Sequence, residues 1–374
     1  YGSDLVFLFM GGFIVALAMQ RWGLDRRIAL ATLQLVGPRP PAIIAGFMVA
    51  TAVLSMWVSN TATTGVMLPI ALSVIELLRR QSDPGAGLHG DGVDGRNFAT
   101  SLMLAVAYSA SIGGIATIIG TPTNGILVQF MAKTYGREIG FAEWLAVGLP
   151  VTLLMLPTAW LLLTRVLFPV GIRTVEGGRE LFAREYAALG SMHRGELVTL
   201  LVFLGAAAAW ITRPWLAAIT IGAGESAWQP LAGLSDAGVA MTAALLLFVI
   251  PVREGASASA TRRVFAMDWP TAEKLPWGVL MLFGGGLSLA AAVQANGVAE
   301  FIGAQASVLG GMPTIVVVLA LTTGVIFLTE LTSNAATVAT LVPILAGLAT
   351  GIGVAPAALL VPATIAASCA FMLP

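Results

Sequence analysis

The run from Pro40 to Leu78 carries one polar island, Ser55-Met56-Trp57-Val58-Ser59-Asn60-Thr61-Ala62-Thr63-Thr64-Gly65, between two apolar arms. No charged residue lies between Arg39 and Glu76. The run is therefore too long for a single membrane-crossing helix, which needs about 20 residues. An island of hydroxyls and an amide cannot face lipid, where its polar atoms would have no partners. A helical hairpin that enters the membrane and returns, with the island at its tip, meets both constraints. This re-entrant reading puts the loops before and after 40–78 on the same face of the membrane.

The whole composition agrees with a bilayer environment. Of 374 residues, 57% are hydrophobic and 10% charged, with 19 basic and 19 acidic side chains and a mean hydropathy of +0.90. Ordinary soluble domains carry about 25% charged residues. A soluble globular protein, a disordered chain and a nucleic-acid binder are excluded, the last for want of a basic surplus. The single cysteine, Cys369, excludes a disulfide scaffold and a multi-cysteine metal site, and His89 and His193 sit in polar stretches. Charge-free stretches also separate Arg96 from Lys133 and Glu300 from Glu330, and run from Leu331 onward. Further apolar runs lie near 4–19, 144–164, 197–211, 237–251 and 276–295. Without period-2 alternation these read as helices rather than barrel strands. The expected fold class is an all-α polytopic membrane protein. The start at Tyr1 and the stop at Pro374 within an apolar run read as cut ends.

Positive charge tests the hairpin. If 40–78 is re-entrant, the loops 21–39, 79–96, 165–194 and 253–274 share one side and hold four, three, five and four Lys/Arg. The opposite side receives only Lys133, Arg137 and Arg213. Basic residues accumulate on the cytoplasmic side, so the first set is cytoplasmic. A plain spanning segment at 40–78 would break this partition.

The C-terminal part repeats the N-terminal part at an offset of 274. Phe9, Gly11, Gly12, Gln20, Gly23 and Ile28 recur as Phe283, Gly285, Gly286, Gln294, Gly297 and Ile302. Ser59-Asn60-Thr61-Ala62-Thr63 recurs as Ser333-Asn334-Ala335-Ala336-Thr337, and Pro69-Ile70 as Pro343-Ile344. Loop 21–39 holds four arginines, whereas its mate 295–313 holds no Lys or Arg. The copies thus point in opposite directions, as in transporters built from inverted repeats with a midplane site. A second interruption, Gly120-Thr121-Pro122-Thr123-Asn124-Gly125, breaks the apolar run 97–132, because proline removes a backbone donor and clashes with the preceding turn. Exposed carbonyls there suit Na⁺, and a half-helix N-terminus suits an anion. Ser, Thr and Asn oxygens add a hard, weakly charged shell. An anion bound without Lys or Arg must rely on such dipoles and on co-bound cations.

These residues resemble the divalent-anion/sodium symporters (DASS, the INDY-type carriers). The resemblance spans nearly the whole chain and is most specific at Ser55…Ser59-Asn60-Thr61, at Ser109-Ala110-Ser111-Ile112-Gly113-Gly114…Gly120-Thr121-Pro122-Thr123-Asn124 and at Thr329-Glu330-Leu331-Thr332-Ser333-Asn334. It implies a plasma-membrane homodimer that carries a di- or tricarboxylate or sulfate with Na⁺, by elevator-like movement of a transport domain. By position, a first sodium site would be Ser55, Ser59, Asn60 and Gly120, and a second, incomplete one Thr329, Thr332 and Asn334. Substrate would meet Asn60, Thr61, Thr121, Pro122, Asn334 and Thr337. Three departures stand out. Thr123 replaces the second Pro of the loop, Ala335 stands where a Thr is usual, and the expected second Thr-Pro-Pro-Asn loop is absent.

The implied organisation is a scaffold helix in 1–39, hairpin 1 in 40–78 and the first broken helix in 97–132. Connecting spans follow in 143–252, with a cytoplasmic charged loop 165–196. The second repeat comprises 253–311, hairpin 2 in 312–350 and the start of its broken helix in 356–374. The leading functional expectation is Na⁺-coupled symport of a C4-dicarboxylate such as succinate. Sulfate/sodium symport and sodium-independent dicarboxylate exchange are the alternatives. An enzyme would need an acid/base or metal constellation that Glu330 alone does not supply. A channel would need a continuous polar pore. Glu330 reads as a structural hydrogen-bonding group, His89 and His193 as solvated loop residues, and the Gly11-Gly12 and Gly284-Gly285-Gly286 runs as close helix packing.

Overall fold

The computed structural model describes residues 2–82, 93–171, 174–175, 177–221, 228–253, 263–306 and 311–372; His89 lies outside them. Helix α1 (Asp4–Trp22) ends at Gly23, whose φ of 69° lets the chain turn at once into α2 (Leu24–Gln34). The sequence reads 21–39 as loop, but α2 occupies most of it. Its inner face buries Leu24, Ala29, Leu30 and Leu33. Arg27 from the same face pairs with Glu196 at 3.0 Å, both side chains nearly fully buried, and donates to the Gly190 carbonyl at 3.1 Å.

Two prolines open α3 (Pro40–Ser55), where their missing N–H groups cost nothing. Residues 56–59 join it to α4 (Asn60–Ser82). Helix α5 (Val93–Ile115) and α6 (Pro122–Tyr135) are separated by the non-helical 116–121. Then come α7 (Phe141–Leu161), prolonged by a π turn over Leu162–Leu167, α8 (Gly178–Ala188), α9 (Arg194–Ala217) and α10 (Asp236–Val249). The short strands β1 (Pro251–Arg253) and β2 (Arg263–Phe265) pair antiparallel, a small exception to the all-helical expectation. Helices α11 (Trp269–Ala272), α12 (Trp277–Ala295), α13 (Val298–Ala306), α14 (Thr314–Thr329), α15 (Asn334–Gly351) and α16 (Pro356–Ala367) complete the chain. Among the described residues, seven helices are long and apolar enough to cross a membrane. The protein is an all-α polytopic membrane protein.

Helix boundaries recur at the sequence offset of 274: α3 and α14 match at both ends, and α4 and α15 start at mates Asn60 and Asn334. Gly23 and Gly297, also mates, both end a helix with left-handed φ, 69° and 68°. Phe9 and Phe283, its mate in the sequence, meet ring to ring at 4.7 Å. Gly11 does pack as expected. A Cβ there would lie 2.5 Å from the Ala240 backbone, so glycine is what lets α1 and α10 touch. Among the described residues the buried apolar side chains form two large cores, one around α1, α6, α10, α12 and α15, the other joining α2 through α5 with α8, and a small third one of Val317, Ala349 and Leu359 between α14, α15 and α16.

Candidate ion and anion site

Ser55 closes α3 and is fully buried. Its Oγ lies 2.8 Å from the Asn60 Oδ1 at the start of α4 and 2.6 Å from the Ala110 carbonyl of α5. Thr329 closes α14 and repeats the arrangement: its Oγ1 lies 2.8 Å from the Asn334 Oδ1 and 2.9 Å from the Ala367 carbonyl that ends α16. Each cluster brings three oxygens together around one hydroxyl hydrogen, which can serve only one acceptor at a time. The remaining oxygen charge suits a small hard cation, the ligand type that carbonyl and hydroxyl oxygens bind.

The break at 116–121 joins the first cluster. The Asn124 Nδ2 donates to the carbonyls of Thr117 at 2.7 Å, Gly114 at 3.1 Å and Ile115 at 3.3 Å, so it satisfies backbone groups that the helix leaves unpaired. Thr117 Oγ1 donates to the Met56 carbonyl in the 56–59 turn and accepts from the Gly120 N–H at 3.0 Å. Gly114 lies between the two parts: a Cβ there would be 2.7 Å from the Asn60 Oδ1 and 3.2 Å from the Gly120 carbonyl. Ser55, Asn60 and Gly120 are therefore neighbours. Ser59, half-buried at the end of the 56–59 turn, accepts a 3.4 Å contact from the Ala62 N–H, apart from the three-oxygen cluster.

The anion side is less uniform. Thr121 is buried and caps α6, Pro122 is its first residue, and Thr61 is exposed on the first turn of α4. Thr332 does not join Thr329 and Asn334. The hydroxyl of its exposed side chain lies 3.0 Å from the Leu328 carbonyl and 2.6 Å from the Thr337 Oγ1. The Thr337 Oγ1 also lies 3.0 Å from the Ser333 carbonyl. Glu330 accepts from the Met372 N–H at 3.0 Å, a structural role in line with its reading. His193, exposed, caps α9 in a reciprocal box with Glu196. Among the described residues no group of His, Cys, Asp or Glu could hold a metal ion. The Ala110 and Ala367 carbonyls escaped the sequence reading because a backbone acceptor leaves no residue signature. Asn124 was visible in the motif, but not its role as a clamp.

One helix contact does not recur at the offset of 274. Helix α15 rests on α12, with the Gly286 position 3.4 Å from the Ala339 Cβ. Their mates, Gly12 and Gly65, do not meet: no atom lies within 4 Å of a Cβ built on Gly65. Beside it opens a cavity of about 430 Å³, lined by Gln20, Asp25, Ala62, Gly65 and Ser73 with the Arg26–Glu185 pair, 2.8 Å apart; a cavity of about 510 Å³ lies at the mate positions Gln294, Pro343 and Gly347. Burial pushes the Asp25 carboxyl up from its ordinary range, against the opposing hydrogen bond from the Arg26 N–H.

Residues 1–374 match the sodium:sulfate symporter transmembrane region. A protein of Staphylococcus saprophyticus described as a sodium-dependent dicarboxylate transporter is 40% identical over 376 residues, covering all of this chain and 69% of its own length. Proteins of the same description from two Staphylococcus aureus strains, RF122 and MSSA476, are 41% identical over 374 residues with the same coverage.

Proposed function

The chain belongs to the sodium:sulfate symporter family, a family of membrane transporters and not of enzymes, and from that premise we propose that it carries a C4-dicarboxylate such as succinate into the cell together with Na⁺. The observation that carries the reading is the pair of three-oxygen clusters at Ser55/Asn60/Ala110 and Thr329/Asn334/Ala367, whose side chains repeat at the offset of 274 while each is completed by a backbone carbonyl of another helix. A Na⁺ beside each would hold Asn60 and Asn334 with Oδ1 turned to the ion. Their Nδ2 hydrogens and the helix N-termini at Asn60, Pro122 and Asn334 would then be free for a carboxylate. No Lys or Arg stands in these segments, so the ions supply the positive charge that a buried dianion requires. That is coupling in electrostatic form: neither charge enters the low-dielectric site cheaply without the other.

The proposed cycle moves hairpins and broken helices past α1 and α12, elevator fashion, in a homodimer. Sulfate is the second reading, favoured by Ala335, which offers no hydroxyl where its mate Thr61 has one. Uptake of radiolabelled succinate, citrate and sulfate into proteoliposomes, with and without Na⁺, tests the proposal. Saturable succinate uptake that requires Na⁺ supports it. Sulfate uptake with no response to succinate sinks the dicarboxylate assignment.

A further inference from the structure

Thr123 stands where the resemblance leads one to expect a second proline, and its side chain is used. Its Oγ1 lies 3.0 Å from the Ser368 Oγ, 245 positions further along the chain, and donates to the Thr121 Oγ1 at 3.3 Å. A secondary contact of 3.5 Å reaches the Asn124 Oδ1. Thr123 and Ser368 are both buried, at 0% and 1% exposure, so no water competes for these hydroxyls. Ser368 directly follows Ala367, whose carbonyl belongs to the second three-oxygen cluster. Thr121 directly follows Gly120, whose carbonyl flanks the first.

We propose that Thr123 is a positioning residue that joins the two ion clusters across the repeat boundary and orients the Thr121 hydroxyl toward the anion. The proposal rests on the sodium-coupled anion reading above. Because Thr123 donates to Thr121, it must accept from Ser368. The proton order is then Ser368 to Thr123 to Thr121, which leaves the Thr121 hydrogen for a carboxylate oxygen. Hydroxyls in such a row polarise one another, so each bond strengthens the next. Proline at 123 could make none of these bonds. A shift of Ser368 when the second cluster binds its ion is thereby felt at Thr121 and Gly120.

The test compares Thr123→Val, which keeps shape and removes the hydroxyl, with Thr123→Ser, which keeps the hydroxyl, in the full transporter in proteoliposomes. Thr123→Val is expected to raise the succinate KM and the half-saturating Na⁺ concentration on the order of tenfold, with the maximal rate largely preserved. It is also expected to flatten the Na⁺ activation curve toward a Hill coefficient of about 1. Thr123→Ser should stay within about twofold of the parent. Ser368→Ala should mimic Thr123→Val, and the double variant should be no worse than either single one. Unchanged Na⁺ activation in Thr123→Val, equal impairment in Thr123→Ser, or additive effects in the double variant would each overturn the inference. The parent protein in the same assay separates the two readings: loss of its Na⁺ dependence would refute the proposed function, not the Thr123 link alone.

Discussion

Ser55→Ala removes a single oxygen from a fully buried position and leaves the neighbouring helices otherwise unchanged. In the parent, the Ser55 Oγ lies 2.6 Å from the Ala110 carbonyl and 2.8 Å from the Asn60 Oδ1. Without it, a Na⁺ beside this cluster loses one of its ligands, and the Ala110 carbonyl loses its side-chain partner. A lost polar partner in a buried setting costs about 1–3 kcal/mol. The half-saturating Na⁺ concentration for uptake should therefore rise roughly 5- to 150-fold. Succinate KM measured at saturating Na⁺ should change far less, because Ser55 is one residue removed from the anion in this scheme. Thr329→Ser, which keeps the corresponding hydroxyl, should shift Na⁺ activation by less than about threefold, since a hydroxyl of similar reach remains. The assay is the initial rate of radiolabelled succinate uptake against Na⁺ concentration, with thermal melting of each variant to verify folding. A folded Ser55→Ala variant with the parent's Na⁺ curve would refute the assignment of this cluster to sodium.

Other outcomes follow from the same geometry. Asn60→Ala should weaken Na⁺ activation and succinate affinity together, because one amide would face both ligands; a Na⁺ response left intact would separate the two roles. Ala335→Thr restores a hydroxyl at the second tip and should tighten succinate roughly fivefold, the worth of one ordinary hydrogen bond, while leaving any sulfate uptake unaffected. Loss of dicarboxylate uptake in that variant would mean that Ala335 makes room for a bulkier anion. Single cysteines at Arg39 and Arg79 should both label from the cytoplasm and those at Met312 and Ile352 from outside; labelling of Arg39 and Arg79 from opposite faces would dismantle the re-entrant topology.

The turn between α3 and α4 and the break before α6 were legible in the sequence because polar residues inside an apolar run are costly and hence informative. Ser55 and Asn60 bracket the 56–59 turn, and Pro122 opens α6 where the Gly-Thr-Pro motif breaks the run. The offset of 274 carried the same logic to Thr329 and Asn334. What stayed hidden depends on tertiary approach. Carbonyls of Ala110 and Ala367 complete the clusters only because α5 approaches the end of α3 and α16 the end of α14. Gly113 allows one such crossing: a Cβ at that position would lie 2.4 Å from the Ala52 carbonyl. Helix α2 was read as loop because its charges dominate a short stretch, and its inner face is recognisable only once Arg27 finds Glu196. Thr332 was assigned by position alone, and its side chain turns to Thr337 instead.

The central claim is that bound sodium creates the anion site between the two tips. Equilibrium binding of succinate to the purified protein in lipid nanodiscs, measured calorimetrically across a Na⁺ series with choline as replacement, tests it without requiring transport. The account predicts that succinate affinity rises with Na⁺ at a slope greater than one on logarithmic axes and is lost in choline. Succinate binding of equal strength at every Na⁺ concentration would contradict it.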